Sequence, residues 1–180
     1  TYTYIISSGR GREALIIDPV IEHTKKYIKI LQNLELKLVK VIDTHIHADH
    51  ISGLNELNKQ TECTRVMGEE SESEVIDLRV KENEKVKIEE MELTTLYTPG
   101  HTKCSYSYLM NDRVFTGDTL LINGSGRTDF QGGSAMEQYD SIFNKLLKLP
   151  DKTLVYPAHD YNGKKFSTVE NERNNNPRLQ

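Results

Sequence analysis

Three histidines and one aspartate fall within the six residues His45-Ile46-His47-Ala48-Asp49-His50, and the whole chain has only six histidines. Imidazole nitrogens and carboxylate oxygens are common protein ligands of Zn and Fe(II). The apolar residues Leu38, Val39, Val41 and Ile42 come just before, followed by Asp43 and Thr44. That run reads as a buried strand, so the cluster sits where a strand ends. In an extended segment residues two apart point the same way, which would let His45 and His47 face one point. Asp49 and His50 follow the small Ala48, where the chain can turn and offer a second pair. A polar loop with chance histidines is the bland alternative, and the concentration of half the histidines in one stretch argues against it.

Three further turns carry ligand-type side chains, each just after a strand-like run. Thr98-Pro99-Gly100-His101-Thr102 follows Tyr97, Phe115-Thr116-Gly117-Asp118 follows Val114, and Tyr156-Pro157-Ala158-His159-Asp160-Tyr161 follows Leu154-Val155. Pro and Gly make tight turns, and Gly allows close backbone approach. A lone turn histidine is weak evidence; three such turns beside the first cluster are specific. The residue types permit two metals. His45, His47 and His101 suit one, Asp49, His50 and His159 the other, with Asp118 bridging. Such a pair would lower the pKa of a bridging water and supply a hydroxide nucleophile.

The elements that must position these turns follow from periodicity. Residues 3–6 and 13–17 read as a hairpin around Ser7-Ser8-Gly9-Arg10-Gly11-Arg12, ended by Asp18-Pro19. A helical spacing of Ile21, Tyr27, Ile28, Leu31 and Leu34 predicts a helix over 21–34, and residues 38–42 a strand. Ser52 is the expected cap of a helix to about residue 59, and 64–67 is a short strand. The acidic segment 68–83 reads as a solvated connection. Strands are expected at 86–88 and 93–97, and a hairpin of 105–110 with 114–116 through Asn111-Asp112. A helix over 135–149, a last strand at 154–156 and a helix over 168–175 closed by Asn176-Pro177 complete the chain. Sheets with helices on their outer sides fit that order.

A hydrophobic fraction of 36% with 28% charged residues suits a globular core rather than disorder. No apolar run approaches the about 20 residues of a membrane span. A net charge of −4 with scattered basic residues gives no reason to expect nucleic acid. Cys63 and Cys104 are too few for a disulfide scaffold and suit a reducing compartment. Cys104 reads as a small buried hydrophobe, the alternative being a thiol near the metal. No targeting segment is visible, and the strand-like opening suggests that a few N-terminal residues are lacking.

The series Thr44-His45-Ile46-His47-Ala48-Asp49-His50, His101, Asp118 and His159 resembles the metallo-β-lactamase superfamily in order and spacing, over nearly the whole chain. The resemblance implies an α+β fold, an αββα four-layer sandwich filling residues 1–180 as one domain, with its metal site at one rim. Two branches compete: glyoxalase II, a two-metal hydroxyacylglutathione hydrolase, and the persulfide dioxygenases, which use non-haem iron. Thr116-Gly117-Asp118-Thr119-Leu120-Leu121-Ile122, Gly126-Arg127-Thr128-Asp129-Phe130-Gln131, Tyr156 to Tyr161, Thr168-Val169-Glu170-Asn171-Glu172-Arg173 and Asn176-Pro177-Arg178-Leu179 are similar to the second. The chain also ends soon after Leu179, where a glyoxalase II would continue into a helical part. Lys103-Cys104-Ser105 departs from the pattern, which usually has glycine before the position of Cys104.

The dioxygenase resemblance implies one Fe(II) per chain on His45, His101 and Asp118, with His47, Asp49, His50 and His159 around it. It also implies glutathione contacts from Thr102, Arg127, Tyr161 and Arg178, with Asp129 steadying Arg127 and Asp160 orienting His159 or buttressing its loop. The reaction implied converts glutathione persulfide, O2 and water to sulfite and glutathione. The hydrolase alternative implies two Zn per chain, and a non-enzymatic metal-holding module is the third class. No nucleic acid or membrane partner is expected, and a homodimer is left open. The expected location is the cytoplasm for a bacterial chain and the mitochondrial matrix for a eukaryotic one.

Overall fold

The computed structural model describes residues 1–180. Strands β1 (Tyr4–Ser7) and β2 (Glu13–Ile17) form the expected antiparallel hairpin. A 3-10 turn (Ile21–His23) leads into α1 (Thr24–Asn33), followed by β3 (Lys37–Ile42), α2 (Leu54–Thr61), β4 (Thr64–Gly68) and β5 (Leu78–Val80). These five strands make one sheet in chain order. A second, six-stranded sheet begins with β6 (Lys85–Ile88), β7 (Met91–Tyr97), β8 (Tyr106–Leu109) and β9 (Arg113–Gly117). Next come a small hairpin, β10 (Leu120–Leu121) with β11 (Gly124–Ser125), and the helix α3 (Ala135–Asp140). Strands β12 (Leu154–Pro157) and β13 (Ser167–Thr168) close the second sheet, and α4 (Val169–Asn175) follows.

The alternation of side chains along each strand builds the layers. Leu15 and Ile17 of β2 join Ile42, Val66 and Val80 in a core shared with Val86, Leu93, Tyr108 and Phe115 of the facing sheet. Ala14 and Ile16, one residue out of phase, pack instead with Tyr27, Leu31, Leu54 and Leu57 of α1 and α2. On the far side Val114 and Val155 meet Ile142, Leu146 and Val169. Helix, sheet, sheet, helix is therefore the order of layers, the αββα sandwich.

Four expectations are corrected. Residues 68–83 are not merely a solvated connection, because β5 adds a parallel edge strand to β4 and buries Val80. Its signal is hidden by Asp77 and Arg79, and the Asp77 carboxylate accepts two bonds from the Arg65 guanidinium of β4. The cap of α2 is Gly53, not Ser52; the Ser52 hydroxyl still accepts from the Leu54 N–H at 3.2 Å. The 135–149 helix changes pitch, passing from α3 into a π turn (Ser141–Lys145) and a 3-10 turn (Leu146–Lys148). Finally, β12 is not the last strand, since β13 pairs with it antiparallel.

Strand direction decides where the site lies. β9 and β12 are parallel, and β7 shares their direction because β8 runs antiparallel to both β7 and β9. β2 and β3 are parallel in the other sheet. The turns after β7, β9 and β12 thus open on one rim. The Tyr106 N–H donates to the Thr44 carbonyl at 2.9 Å, joining the loop after β3 to that rim.

Candidate metal centre

His45, His101 and Asp118 come together in this rim, with one ligand atom from each lying within 4.8 Å of the others. The His45 Nε2 is 3.7 Å and the His101 Nε2 3.6 Å from the same oxygen, Asp118 Oδ2. Their tautomers follow from their partners. The Thr44 hydroxyl donates to Asp18 at 2.9 Å and so accepts from the Nδ1–H of His45, also at 2.9 Å. The His101 Nδ1–H donates to the Arg127 carbonyl at 2.8 Å. Both rings therefore hold their proton on Nδ1 and aim an Nε2 lone pair at one point, the arrangement a metal-ligating histidine needs.

Charge completes the fit. Burial and the neighbouring His47 push His45 down to about 3, so it stays neutral near pH 7. Burial alone would raise Asp118, but the hydrogen bond from His159 and the nearby His45 hold its carboxyl below the usual range, so it is anionic. Two imidazoles and one carboxylate form a set of the kind that binds a divalent ion. Gly126 makes the close approach possible: a Cβ there would lie 2.0 Å from the Asp118 carbonyl oxygen and 2.9 Å from His101 Nδ1.

The remaining predicted ligands divide differently from the expected two-metal set. The chain bends after Ile42, so His45 and His47 do not share a strand face. His47 turns away from the triad and donates from Nε2 to the Asp18 carboxylate at 3.0 Å. Burial opposes its charge, but Asp18 outweighs that and raises His47 to about 9. His47 groups with Asp49 and His50, and His47 Nδ1 and His50 Nε2 are buried with no partner. His159 is not part of that group. Its Nδ1 lies 2.7 Å from Asp118 Oδ1 and its Nε2 2.9 Å from Asp49 Oδ2, so both nitrogens are engaged and its pKa is raised, chiefly by the Asp118 bond.

The triad opens into a cleft of about 490 Å³ lined also by Asp49, Arg127, Phe130, Gln131, His159 and Tyr161. Tyr161 is 87% exposed and stacks on His159 at the mouth. Arg127 is paired with Asp129 at 2.7 Å and lies over the Phe130 ring. Two expected contacts are displaced. Thr102 is buried against the Ser105 hydroxyl and lines the neighbouring cleft with Cys104. Arg178 borders another cavity of about 550 Å³, which shares Ser125, Gly126 and Arg127 with the metal cleft. Cys104 is a buried small side chain whose sulfur accepts from the Ile46 N–H at 3.4 Å, outside every ligand group. Asp160 buttresses its loop, accepting from the Asn162 and Lys164 N–H groups, and does not bond His159.

Two functional residues escaped the sequence reading. Asp18 accepts from the Thr44 N–H, the Thr44 hydroxyl and His47, tying two histidines to one buried carboxylate. Asp43 is buried beside it, and burial pushes its carboxyl up to about 7 despite His47. The available signal for Asp18 was its place right after β2, the same strand-end position that Asp118 holds after β9.

Residues 1–87 and 71–159 match the model of the metallo-β-lactamase superfamily, and the chain belongs to that superfamily. Within it the chain aligns with the persulfide dioxygenase branch. It is 43% identical to the mitochondrial persulfide dioxygenase ETHE1 of Mus musculus, over 99% of this chain and 71% of that protein. The crystal structure of ETHE1 from Myxococcus xanthus superposes with a TM-score of 0.97 at 44% identity, covering 99% of this chain and 79% of that one. The hydroxyacylglutathione hydrolase of Dictyostelium discoideum is 34% identical over 97% of this chain and 68% of that protein.

Proposed function

We propose that residues 1–180 act as one unit, a persulfide dioxygenase that converts glutathione persulfide, O2 and water to sulfite and glutathione. The observation that carries the reading is the triad: two Nε2 lone pairs and one carboxylate oxygen converge, while His159 has no free nitrogen to offer. The similarity to persulfide dioxygenases over 99% of the chain supports it. Fe(II) held by His45, His101 and Asp118 would supply open positions for the persulfide sulfur and O2. Thr44 and the Arg127 carbonyl fix the two rings, and His159 occupies Asp118 Oδ1 so that Oδ2 faces the site. Tyr161 and Phe130 shield the mouth of the cleft and offer apolar surface to the thiol carrier. The Arg127 guanidinium is the cation nearest to hand for a carboxylate of glutathione, which must share it with Asp129. No helix is long and apolar enough to cross a membrane. The rodent relative is described as mitochondrial, which favours the matrix for a eukaryotic chain.

The test is O2 uptake by iron-loaded protein given glutathione persulfide. Uptake with sulfite release is expected; cleavage of lactoylglutathione without uptake would move the chain to the hydrolases. A two-metal hydrolase is the second reading because His47 Nδ1 and His50 Nε2 are buried and unpartnered beside Asp49. About one iron per chain on metal analysis supports the first reading, and near two zinc the second.

A further inference from the structure

We propose that Gln138 is a positioning residue for the metal ligands, holding through its side-chain amide the two loops that carry Asp118 and the carbonyl on His101. The proposal rests on His45, His101 and Asp118 being the ligands, whichever reaction follows. Gln138 lies on α3 and is almost wholly buried. Its Nε2 donates to the Thr119 carbonyl at 2.8 Å and to the Gly126 carbonyl at 3.4 Å. Thr119 follows Asp118 directly. Gly126 precedes Arg127, whose carbonyl orients His101, and the Gly126 N–H itself donates to the Asp118 carbonyl at 2.9 Å. One amide thus spans both sides of the triad.

The same helical face grips the third loop. The Ser134 N–H donates to the Gly100 carbonyl at 2.8 Å, and the Ser141 hydroxyl to the Pro99 carbonyl at 2.7 Å. Gly100 (φ +137°) sits so close that a Cβ there would lie 2.3 Å from Gln138 Cα. Ser134 caps α3, Gln138 lies within it and Ser141 opens the π turn that continues it, so the peptides beside His101 and Asp118 are referenced to one continuous helical segment.

The amide orientation follows from its partners. Both acceptors are carbonyls, so Nε2 must face them, and Oε1 is left buried with no partner. An apolar side chain of similar length would fill the space without an unsatisfied carbonyl. What the amide adds over such a side chain is the grip of its nitrogen on the two loops.

Gln138→Met removes that grip at nearly constant volume, and Gln138→Glu keeps the shape but sets oxygen against the two carbonyls. The measurements are Co(II) affinity by chelator competition, the visible absorption of the Co(II)-loaded protein, and Tm of the metal-free protein. The expected result is a loss of about 10-fold or more in affinity, the usual scale for groups that orient ligands, with a shifted absorption band. Ile142→Val, a core deletion on the next turn, should lower Tm and leave affinity and spectrum unchanged. Wild-type affinity and spectrum in the Met variant would overturn the proposal, as would a change no larger than that of Ile142→Val. If the Met variant misfolds, the Glu variant decides by the same criteria. Asp118→Ala separates the two readings: retained metal there would sink the ligand assignment itself, whereas loss there with an unaffected Gln138→Met would sink only this proposal.

Discussion

Gly124 of β11 and Gly126, just past that strand, should respond in opposite ways to the same added methyl group. Gly126→Ala would place a Cβ 2.0 Å from the Asp118 carbonyl oxygen, 3.1 Å from its carbon and 2.9 Å from His101 Nδ1. Ordinary contact begins near 3.4 Å, so more than an ångström must be found, and the obstructing atoms are the backbone of one metal ligand and the ring of another. The Gly126 N–H bond to Asp118 would stretch as well. Overpacking of this kind with a weakened hydrogen bond costs about 2–4 kcal/mol. For a chain of this size that is a drop of about 4–16 °C in Tm. Displacing Asp118 and His101 should also lower metal affinity by about 10-fold or more. Gly124→Ala, by contrast, meets nothing nearer than the Leu121 Cβ at 3.7 Å. It should be neutral or gain up to about 1 kcal/mol from a less flexible unfolded chain. Thermal melts of the metal-free proteins and chelator competition for the loaded ones read both effects. A Gly126→Ala variant with wild-type Tm and wild-type metal affinity would refute the argument that the triad is drawn together across this glycine.

Other outcomes follow from the same geometry. Asp118→Ala should remove both metal and O2 uptake, whereas His50→Ala should keep most of the iron; metal analysis of the two variants checks this, and loss of all iron from the second would count against a mononuclear site. In metal-stripped protein, His47 and Asp43 both bind their protons more tightly when folded than when unfolded. The Asp43 contribution should therefore be present below about pH 4 and be lost through pH 7, and that of His47 be present below about pH 6.5 and be lost through pH 9. Between pH 4 and 6.5 the Asp43 contribution is opposed by His45, which is held down at about 3 when folded and takes up a proton only on unfolding. Tm should therefore fall clearly from about pH 6.5 to 9, and Asp43→Asn should make Tm rise from about pH 4 to 6.5. Glu172 is fully buried and accepts from the Asn123 N–H and the Asn176 amide, both at 2.8 Å, and from the Ser167 hydroxyl. Glu172→Gln turns one acceptor oxygen into a donor facing donors and should cost about 1–3 kcal/mol, read as a lowered denaturation midpoint.

Periodicity alone gave strands and helices in an order that suits sheets with helices on their outer sides; the four layers were legible only through the resemblance to the metallo-β-lactamase superfamily. The structure shows the physical basis, with Leu15 and Ile17 on one face of β2 and Ala14 and Ile16 on the other, both buried. The ligand turns were legible because each pairs a strand end with Pro, Gly or Ala before a histidine or carboxylate. β5 was not, because three residues flanked by charge become a strand only when the edge of β4 offers its open hydrogen bonds. Asp18 was not, because an Asp-Pro after a strand is an ordinary stop signal until the parallel pairing of β2 with β3 sets it under Thr44 and His47.

Local chemistry, then, settled which side chains can bind a metal and that they leave strands at tight turns. Three-dimensional packing settled how they divide. His45 and His47 are two residues apart in the chain, yet one faces Asp118 and the other Asp18. A linear spacing specifies a direction only while the backbone stays extended, and here the strand ends at Ile42. Beyond that point each imidazole is turned by its own partner: the neighbouring Thr44, itself held by Asp18, takes the proton of His45, and Asp18, far away in sequence, takes the charge of His47.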